Sequence, residues 1–453
     1  MDLDWSRFNQ FKKDIKGKRV LILGLGLQGG GVGAAHFFSK MGAKLRISDL
    51  KTEVELAESL EKIKDIKIEK LTLGGHETAD VDTVDLILLN PDIPHDASIL
   101  QYVRVRNKEI QMEEALFMQL CPTQDVVGVT GTRGKTTTTM LIFELLKTTY
   151  PVFLGGNVSG SETLMRLFDN FDDKTKVVLE LSSFQLYGFH LNKISPHLSV
   201  WTNIYEDHLN KYRSMKDYIF DKQAIYQYQN ENDYFIRNES LRYHELIHDS
   251  RGKNLFFSPH NVEHYEKKLK GEHNDENYAA SLAAAKIFNV SEENIQKVFS
   301  TFNGVPFRQE EIAEINGVSF VNDTTATTPK AAVVAIDAYK SRSIILLAGG
   351  NSKNCSIQEF AKVAAANSKK IILLKGNASE DFRKALLEFI DDETKVSEIF
   401  EDFRAAIQFA YQSARSGDVV LLSPGFTSFG MFKNEFDRGR QFNKIVSELK
   451  LER

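Results

Sequence analysis

The sequence predicts an α/β fold in three domains. Short β-branched apolar runs alternate with longer amphipathic segments along the chain, the pattern of parallel sheets covered by helices. The alternation falls into three stretches, and each of the first two carries a glycine-rich turn directly after an apolar run. With 453 residues and 42% hydrophobic content, the chain holds enough apolar material for several cores of ordinary domain size.

In the first stretch, 1–123, strands are expected at Arg19–Leu23, Lys44–Ser48 and Leu86–Leu89, with a helix after Gly33 through Lys40. This reads as a small doubly wound domain. The second stretch, 124–310, opens with the strand Asp125–Thr130 and continues with Lys176–Leu181 and His197–Thr202. Helices are expected near Thr136–Lys147 and Asn274–Phe288, and the sheet is expected to be mostly parallel. The third stretch, 311–453, alternates strands near Val318–Val321, Ile344–Leu347, Ile371–Leu374 and Val419–Leu422 with helices near Lys330–Tyr339, Phe382–Ile390 and Phe403–Ala414. It again reads as doubly wound. No low-complexity linker marks the boundaries near 123 and 310, and no short-period repeat is present.

Composition removes several function classes. A net charge of -5, from 57 basic and 62 acidic side chains, provides no global positive field for nucleic acid or an anionic membrane. The two cysteines, Cys121 and Cys355, stand far apart and form no zinc-like pair, which fits a reducing compartment. The start, Met1-Asp2-Leu3-Asp4-Trp5, lacks the order of a signal peptide, and no apolar run approaches the ~20 residues needed to span a bilayer. The expectation is a soluble, cytoplasmic monomer acting on small molecules.

The segment Gly128-Val-Thr-Gly131-Thr132-Arg133-Gly134-Lys135-Thr136-Thr137 is a glycine-rich turn between an apolar strand and a Thr-rich helix start. It resembles a phosphate-binding P-loop. Glycines let backbone N–H groups converge on phosphate oxygens, the helix N-terminus adds positive potential, Lys135 bridges the β- and γ-phosphates, and Thr136 can ligate magnesium. The plain alternative is an ordinary strand-to-helix turn, against which stands Gly-Lys-Thr at the helix start. Nearby, the apolar strand through Leu179 ends in Glu180, which a parallel sheet would deliver to the same edge as a magnesium candidate.

A second glycine pattern, Gly24-Leu-Gly26-Leu-Gln-Gly29, follows the first strand, and Asp49 ends the next one. Strand, glycines and acid together meet the dinucleotide fingerprint, so the first domain is expected to be Rossmann-like. An NAD-dependent oxidoreductase is one reading. The same geometry serves any pyrophosphate, including that of a UDP-sugar, or simply tightens a strand–helix crossing.

Several motifs then coincide in order: Gly131-Thr-Arg-Gly-Lys-Thr136, Glu180-Leu-Ser-Ser-Phe-Gln-Leu186, Asn203-Ile-Tyr-Glu-Asp-His208, Gly271-Glu-His-Asn274-Asp-Glu-Asn277 and Phe307-Arg308-Gln309-Glu310. In the third stretch stand Asn322-Asp323-Thr-Thr-Ala-Thr327, Gly349-Gly350-Asn-Ser-Lys353 and Ser423-Pro-Gly-Phe-Thr-Ser428. Over nearly the whole chain this resembles the Mur ligases, and Ser182-Ser183-Phe184-Gln185-Leu186 resembles their glutamate-adding branch. The resemblance implies a Rossmann-like C-terminal domain as well. It also implies an ATP-dependent ligase that joins D-glutamate to UDP-N-acetylmuramoyl-L-alanine through an acyl phosphate in cytoplasmic peptidoglycan precursor synthesis.

Family roles assign ATP to Gly131, Thr132, Arg133, Gly134, Lys135, Thr136, Thr137, Asn274, Asn277, Arg308 and Asp323. Two magnesium ions would be held by Thr136, Glu180, His208 and Lys222, the last after carbamylation. The UDP moiety would rest on Leu27 and Gln28, with Asp49 and Lys51 near the uracil or ribose. Asn90 and Asn157 are further candidates, although both stand in turn sequences that form without a ligand. Thr327, Lys353 and Ser428 would receive glutamate.

Three positions depart from the family pattern. Phe307 replaces a usual His, Thr325 a common Lys, and Glu435-Phe436 reverses an aromatic–acidic order. Other Mur-type ligases and folylpolyglutamate synthases are the nearer alternatives, the latter without the first domain.

Overall fold

The computed structural model describes residues 3–27, 29–158, 162–208, 211–269, 271–352, 356–428 and 431–451. Gln28, Lys353 and Cys355 lie outside them.

The first sheet contains β1 (Arg19–Leu23), β2 (Lys44–Asp49), β3 (Ile68–Leu73), β4 (Leu86–Leu89) and β5 (Glu109–Gln111), in the order β3-β2-β1-β4-β5. All its pairs are parallel. The second contains β6 (Val126–Thr130), β7 (Val152–Gly156), β8 (Lys176–Glu180), β9 (Leu198–Trp201), β10 (Tyr234–Asn238) and β11 (Lys253–Phe257), in the order β11-β10-β9-β6-β8-β7. It too is wholly parallel. In β6, β8 and β9 every residue is buried, because helices cover both faces and leave no solvent side for polar alternation.

The third sheet contains β12 (Glu310–Ile315), β13 (Val318–Asn322), β14 (Ile344–Ala348), β15 (Ser368–Leu374), β16 (Val396–Phe400) and β17 (Val419–Leu422). Its order is β12-β13-β17-β14-β15-β16, and only the β12–β13 hairpin is antiparallel. Apolar residues of this sheet face two separate clusters, one around Phe360 and Phe382 and one around Phe403 and Phe442.

The chain forms two compact units, Met1–Phe302 and Asn303–Arg453. The first holds two sheets because one hydrophobic cluster runs through both: Phe37 and Phe38 of the first α/β layer join Leu186, Phe189 and Trp201 of the second. The helix Ser6–Ile15 seals that join, with Phe8 edge-on to Phe168 and Trp5 edge-on to Phe171. The helix expected from Gly33 begins earlier, at Gly30, because Gly29 adopts a left-handed cap that starts it sooner. Among the described residues no helix is long and apolar enough to cross a membrane.

Candidate active site

In each sheet the strand order reverses around one strand: β1, β6 or β17. Loops leaving the carboxyl ends of the strands beside such a point diverge and open a crevice.

In the second sheet, Val129 of β6 lies opposite Glu180 of β8, and Thr130 lies opposite Trp201 of β9. This register brings the 131–134 turn, the Glu180 carboxylate and the Thr202–Asn203 segment to one edge. Gly131 and Gly134 both have positive φ, at 149° and 77°. A Cβ on Gly131 would stand 1.9 Å from Thr202 Oγ1, and one on Gly134 2.3 Å from Asn277 Oδ1, so neither position has room for a side chain. The Asn203 carbonyl accepts from Thr132 N at 3.1 Å, and its side-chain oxygen accepts from Arg133 N at 2.8 Å. Thr202 Oγ1 donates to Arg133 O at 2.6 Å. The turn is therefore held in shape by β9's exit. Lys135 Nζ curls back onto Gly131 O and Thr132 O, 3.0 Å from each. Thr136 and Thr137 follow it in the first turn of the helix Lys135–Lys147.

Asn277 reaches this turn from the helix Glu272–Ile287. Its Oδ1 accepts from Thr138 Oγ1 at 3.1 Å, and its Nδ2 donates to Asn274 Oδ1 at 3.3 Å.

Glu180 is buried. One carboxylate oxygen accepts from Asn157 Nδ2 at 2.9 Å, and the other has no hydrogen-bond partner among the described residues. A buried anionic oxygen left bare is costly unless a cation or donor completes it. Lys222, on the helix Met215–Gln227, is also fully buried, and its Nζ donates to Gly131 O at 2.9 Å and Thr130 Oγ1 at 3.2 Å. Burial, with Lys135 nearby, pushes its ammonium well below the ordinary lysine value, against the pull of Asp207, Asp221 and Glu180. His208 sits in a left-handed backbone conformation, with its ring edge-on to Phe184 at 5.1 Å and to Tyr218 at 5.8 Å. Burial lowers its pKa, with Lys222 and Lys135 acting the same way and Asp207 opposing. A neutral imidazole is the form that ligates metals.

Among the described residues no three His, Cys, Asp or Glu side chains gather into a ready-made metal cage. The donors at this edge fit a cation that shares its coordination with nucleotide phosphates: a hydroxyl at Thr136, the bare oxygen of Glu180 and a neutral His208.

In the first sheet, Asp49 is buried and both its oxygens are engaged. One accepts from Gly26 N at 3.0 Å and the other from Lys51 N at 2.8 Å. Its carboxylate thus shapes the glycine turn from inside. Asn90 does the same from β4's exit, donating to Gly24 O at 3.1 Å and accepting from Asp92 N at 2.9 Å. Leu27 is exposed beside that turn.

In the second unit, Asn322 of β13 and Leu347 of β14 both lie opposite Leu422 of β17, which aligns the exits of the three strands. Asp323 is buried there, accepting from Ser423 Oγ at 2.7 Å and Gln309 N at 3.1 Å. Burial raises its carboxyl to about 7 against those donors and the charges of Arg308 and Arg438. Phe307, in the left-handed region, lays its ring against Gly439, and its carbonyl accepts from Thr325 Oγ1 at 2.9 Å. Thr327 N donates to Thr325 O at 2.9 Å, and Ser428 Oγ is buried with no hydrogen-bond partner among the described residues.

Sequence reasoning missed residues that hold these loops rather than bear a motif's chemistry. Asn203 stands inside a motif that assigns it no role, yet it shapes the phosphate turn. Arg438 of the helix Glu435–Leu451 is fully buried, donating to Thr324 Oγ1 at 2.8 Å and Thr324 O at 2.9 Å. Burial pushes its guanidinium down to about 9. An arginine followed by glycine in an otherwise amphipathic helix is the only trace of it in the sequence.

The sequence matches the family models described as Mur ligase MurD-like, N-terminal domain, over residues 18–112, Mur ligase middle domain over 129–253, and Mur ligase, glutamate ligase domain, over 307–426. It is 35% identical to the UDP-N-acetylmuramoylalanine--D-glutamate ligase of Roseiflexus sp. (strain RS-1), covering 95% of this chain and 99% of that protein. The chain belongs to the Mur ligase family. A second Mur ligase, the D-glutamate ligase of Acetivibrio thermocellus, is 33% identical over 98% of this chain and 99% of its own length. Among solved structures, the UDP-N-acetylmuramate-alanine ligase of Thermotoga maritima shares the fold at a TM-score of 0.54 and 18% identity, over 96% of this chain and 100% of that one. Mur ligases are ATP-dependent amide ligases of peptidoglycan precursor synthesis, so the oxidoreductase reading of the first glycine turn falls away.

Proposed function

We propose that this chain joins D-glutamate to UDP-N-acetylmuramoyl-L-alanine at the expense of ATP, as a monomer in the cytoplasm. The observation that carries the reading is the edge where the Lys135 turn, the half-satisfied Glu180 carboxylate, His208 and the buried Lys222 amine meet. The names of the relatives and Ser182-Ser183-Phe184-Gln185-Leu186 support glutamate as the amino acid.

In this reading the alanyl carboxylate oxygen attacks the γ-phosphorus of ATP, the bond to the β–γ bridging oxygen breaks, and ADP leaves. The glutamate amine then adds to the acyl carbon, loses a proton, and phosphate departs with the C–O bonding pair. The protein's task is to hold three anionic groups together and offset their repulsion. Backbone amides of 131–135 cradle phosphate at the helix N-terminus, and Lys135 exchanges its carbonyl partners for phosphate oxygens. Arg308, Asn274, Asn277 and Asp323 belong to the nucleotide, and Thr327, Lys353 and Ser428 to the carboxylates of glutamate. Leu27, Gln28 and Lys51 border the UDP moiety, with Asp49 and Asn90 setting the turn it rests on and Asn157 orienting Glu180.

Magnesium, as two ions, would be held by Thr136, Glu180, His208 and Lys222 and would neutralise charge on the transferring phosphoryl group. Lys222 takes part as a carbamate. Its neutral amine adds to CO2, an N–C bond forms, a proton leaves, and a would-be cation becomes a carboxylate.

The test is phosphate release from ATP with UDP-N-acetylmuramoyl-L-alanine, adding D-glutamate, L-glutamate, D-alanine or diaminopimelate in turn. Release only with D-glutamate is expected. Release indifferent to all four overturns the reading.

A further inference from the structure

The helix Glu113–Leu120 opens with two glutamates, and both are buried. Buried carboxylates are expensive, and an apolar pair at a helix start would stabilise the core better. Their side chains run to different places. Glu113 accepts from Leu164 N at 3.3 Å, and its other oxygen stands 2.8 Å from where a Cβ on Gly30 would be, behind the glycine turn of the first sheet. Glu114 instead accepts from Gln185 Nε2 at 2.7 Å.

Gln185 links this carboxylate to the phosphate edge. Its Oε1 accepts from Ser182 N and Ser182 Oγ, at 2.9 Å each, while Ser182 Oγ accepts from Gln185 N at 3.3 Å, a reciprocal cap on the helix Ser183–Asn192. A carboxamide has a donor end and an acceptor end, and a half-turn exchanges them. An acceptor fixed at Nε2 leaves Oε1 facing Ser182. Ser182 lies two residues beyond Glu180, on the exit of β8.

From the opposite side the same exit is held by Thr130 Oγ1, which donates to Leu181 O at 2.7 Å and accepts from Lys222 Nζ at 3.2 Å. Glu180 spends one oxygen on Asn157 and keeps the other bare, so the aim of that oxygen depends on how firmly residues 180–182 are gripped. Ligand positions must be held to about 0.5 Å for a metal site to work.

We propose that Glu114 is a positioning residue for the metal-binding edge, acting through Gln185 and Ser182 on the strand exit that carries Glu180. Glu114 also accepts from its own backbone N–H, and among the described residues its second oxygen is buried with no hydrogen-bond partner, so Gln185 is the side chain this carboxylate is built to hold. Burial raises its carboxyl to about 7, and the neutral acid can still accept from Gln185. The inference deepens the ligase reading and rests on it.

The experiment measures Mn2+ affinity by EPR in the presence of ADP, with thermal unfolding and steady-state ligation alongside, for Glu114→Met, Glu114→Gln, Gln185→Met and the Glu114→Met/Gln185→Met double variant. Glu114→Met should bind Mn2+ about tenfold more weakly and raise the magnesium requirement, with KM for the UDP-substrate unchanged. Glu114→Gln, which keeps an acceptor, should retain wild-type Mn2+ affinity. The double variant should be no worse than Gln185→Met, because the two act in series.

Unchanged Mn2+ affinity in Glu114→Met, or losses that add in the double variant, would overturn the proposal, whatever happens to the melting temperature. If Glu114→Met does not fold, Gln185→Met decides alone: wild-type Mn2+ affinity there overturns it. Failure of the wild-type protein to release phosphate with any amino acid would sink the ligase reading, whereas the Mn2+ measurements would still judge this one.

Discussion

Among the described residues, Lys222 is a buried amine bonded to a carbonyl and a hydroxyl and to no carboxylate, an arrangement that stability alone does not favour. Lys222→Met keeps the volume and removes the buried amine. Ligation should be abolished while the melting temperature stays level or rises, measured by phosphate release and calorimetry. Retained activity would take Lys222 out of the site. Glu180→Gln removes an anion whose second oxygen has no partner, so it should cost at least about 100-fold in turnover at fixed magnesium without loss of stability.

The pair at Glu113 and Glu114 carries a pH consequence. Burial raises the Glu114 carboxyl from 4.5 to about 7, so folding favours its protonated form. The associated stability is complete below the unfolded value and is lost as pH rises through about 7. Glu114→Gln does not titrate. Its melting temperature should therefore vary less than the wild-type one between about pH 4.5 and 7, and should exceed it above that window; parallel curves for the two proteins would refute this.

At the scale of elements, the site is a product of strand register. Val129 opposite Glu180 and Thr130 opposite Trp201 align three loops, and the glycines let those loops close. Gly134→Ala forces a Cβ into a left-handed cap and to 2.3 Å from Asn277 Oδ1. The backbone strain alone costs about 1–2 kcal/mol. ADP affinity, read by calorimetric titration, should fall at least tenfold, since Asn277, proposed above as a nucleotide contact, is displaced with the turn; unchanged affinity would mean that the turn does not shape the phosphate site.

Strands that carry a continuous apolar run were legible from sequence: Arg19–Leu23, Leu86–Leu89 and Val419–Leu422 are placed to the residue. The edge strands were not. β3 alternates half-buried and exposed residues, β5 is three residues long, and β12 reads Glu-Glu-Ile-Ala-Glu-Ile, so none has a core face strong enough to announce itself. The helix Ser6–Ile15 was also missed, because its apolar stripe of Phe8 and Ile15 is sparse and its partners lie far along the chain. Within the site, motif residues were legible because their chemistry needs particular types at particular spacing. The partners that aim them were not: Gln185 stands in a motif, but its bond to Glu114 joins residues 71 positions apart and leaves no local pattern.

On the scale of the whole molecule, the first two sheets share a hydrophobic cluster, whereas the third has apolar clusters of its own on either face. A unit that owns its core can unfold by itself, and then a single unfolding free energy no longer describes the chain. Calorimetry of the protein should resolve two transitions rather than one. The Lys135 turn lies in the unit Met1–Phe302, so a nucleotide bound there should move that unit's transition. At a hundred times its dissociation constant, magnesium ADP should add about 2.7 kcal/mol to the unit that binds it. Lys135→Ala identifies which transition this is, because it should erase the nucleotide shift while leaving both unfolding events in place. A single cooperative transition, shifted as a whole by nucleotide, would show instead that the two units unfold as one.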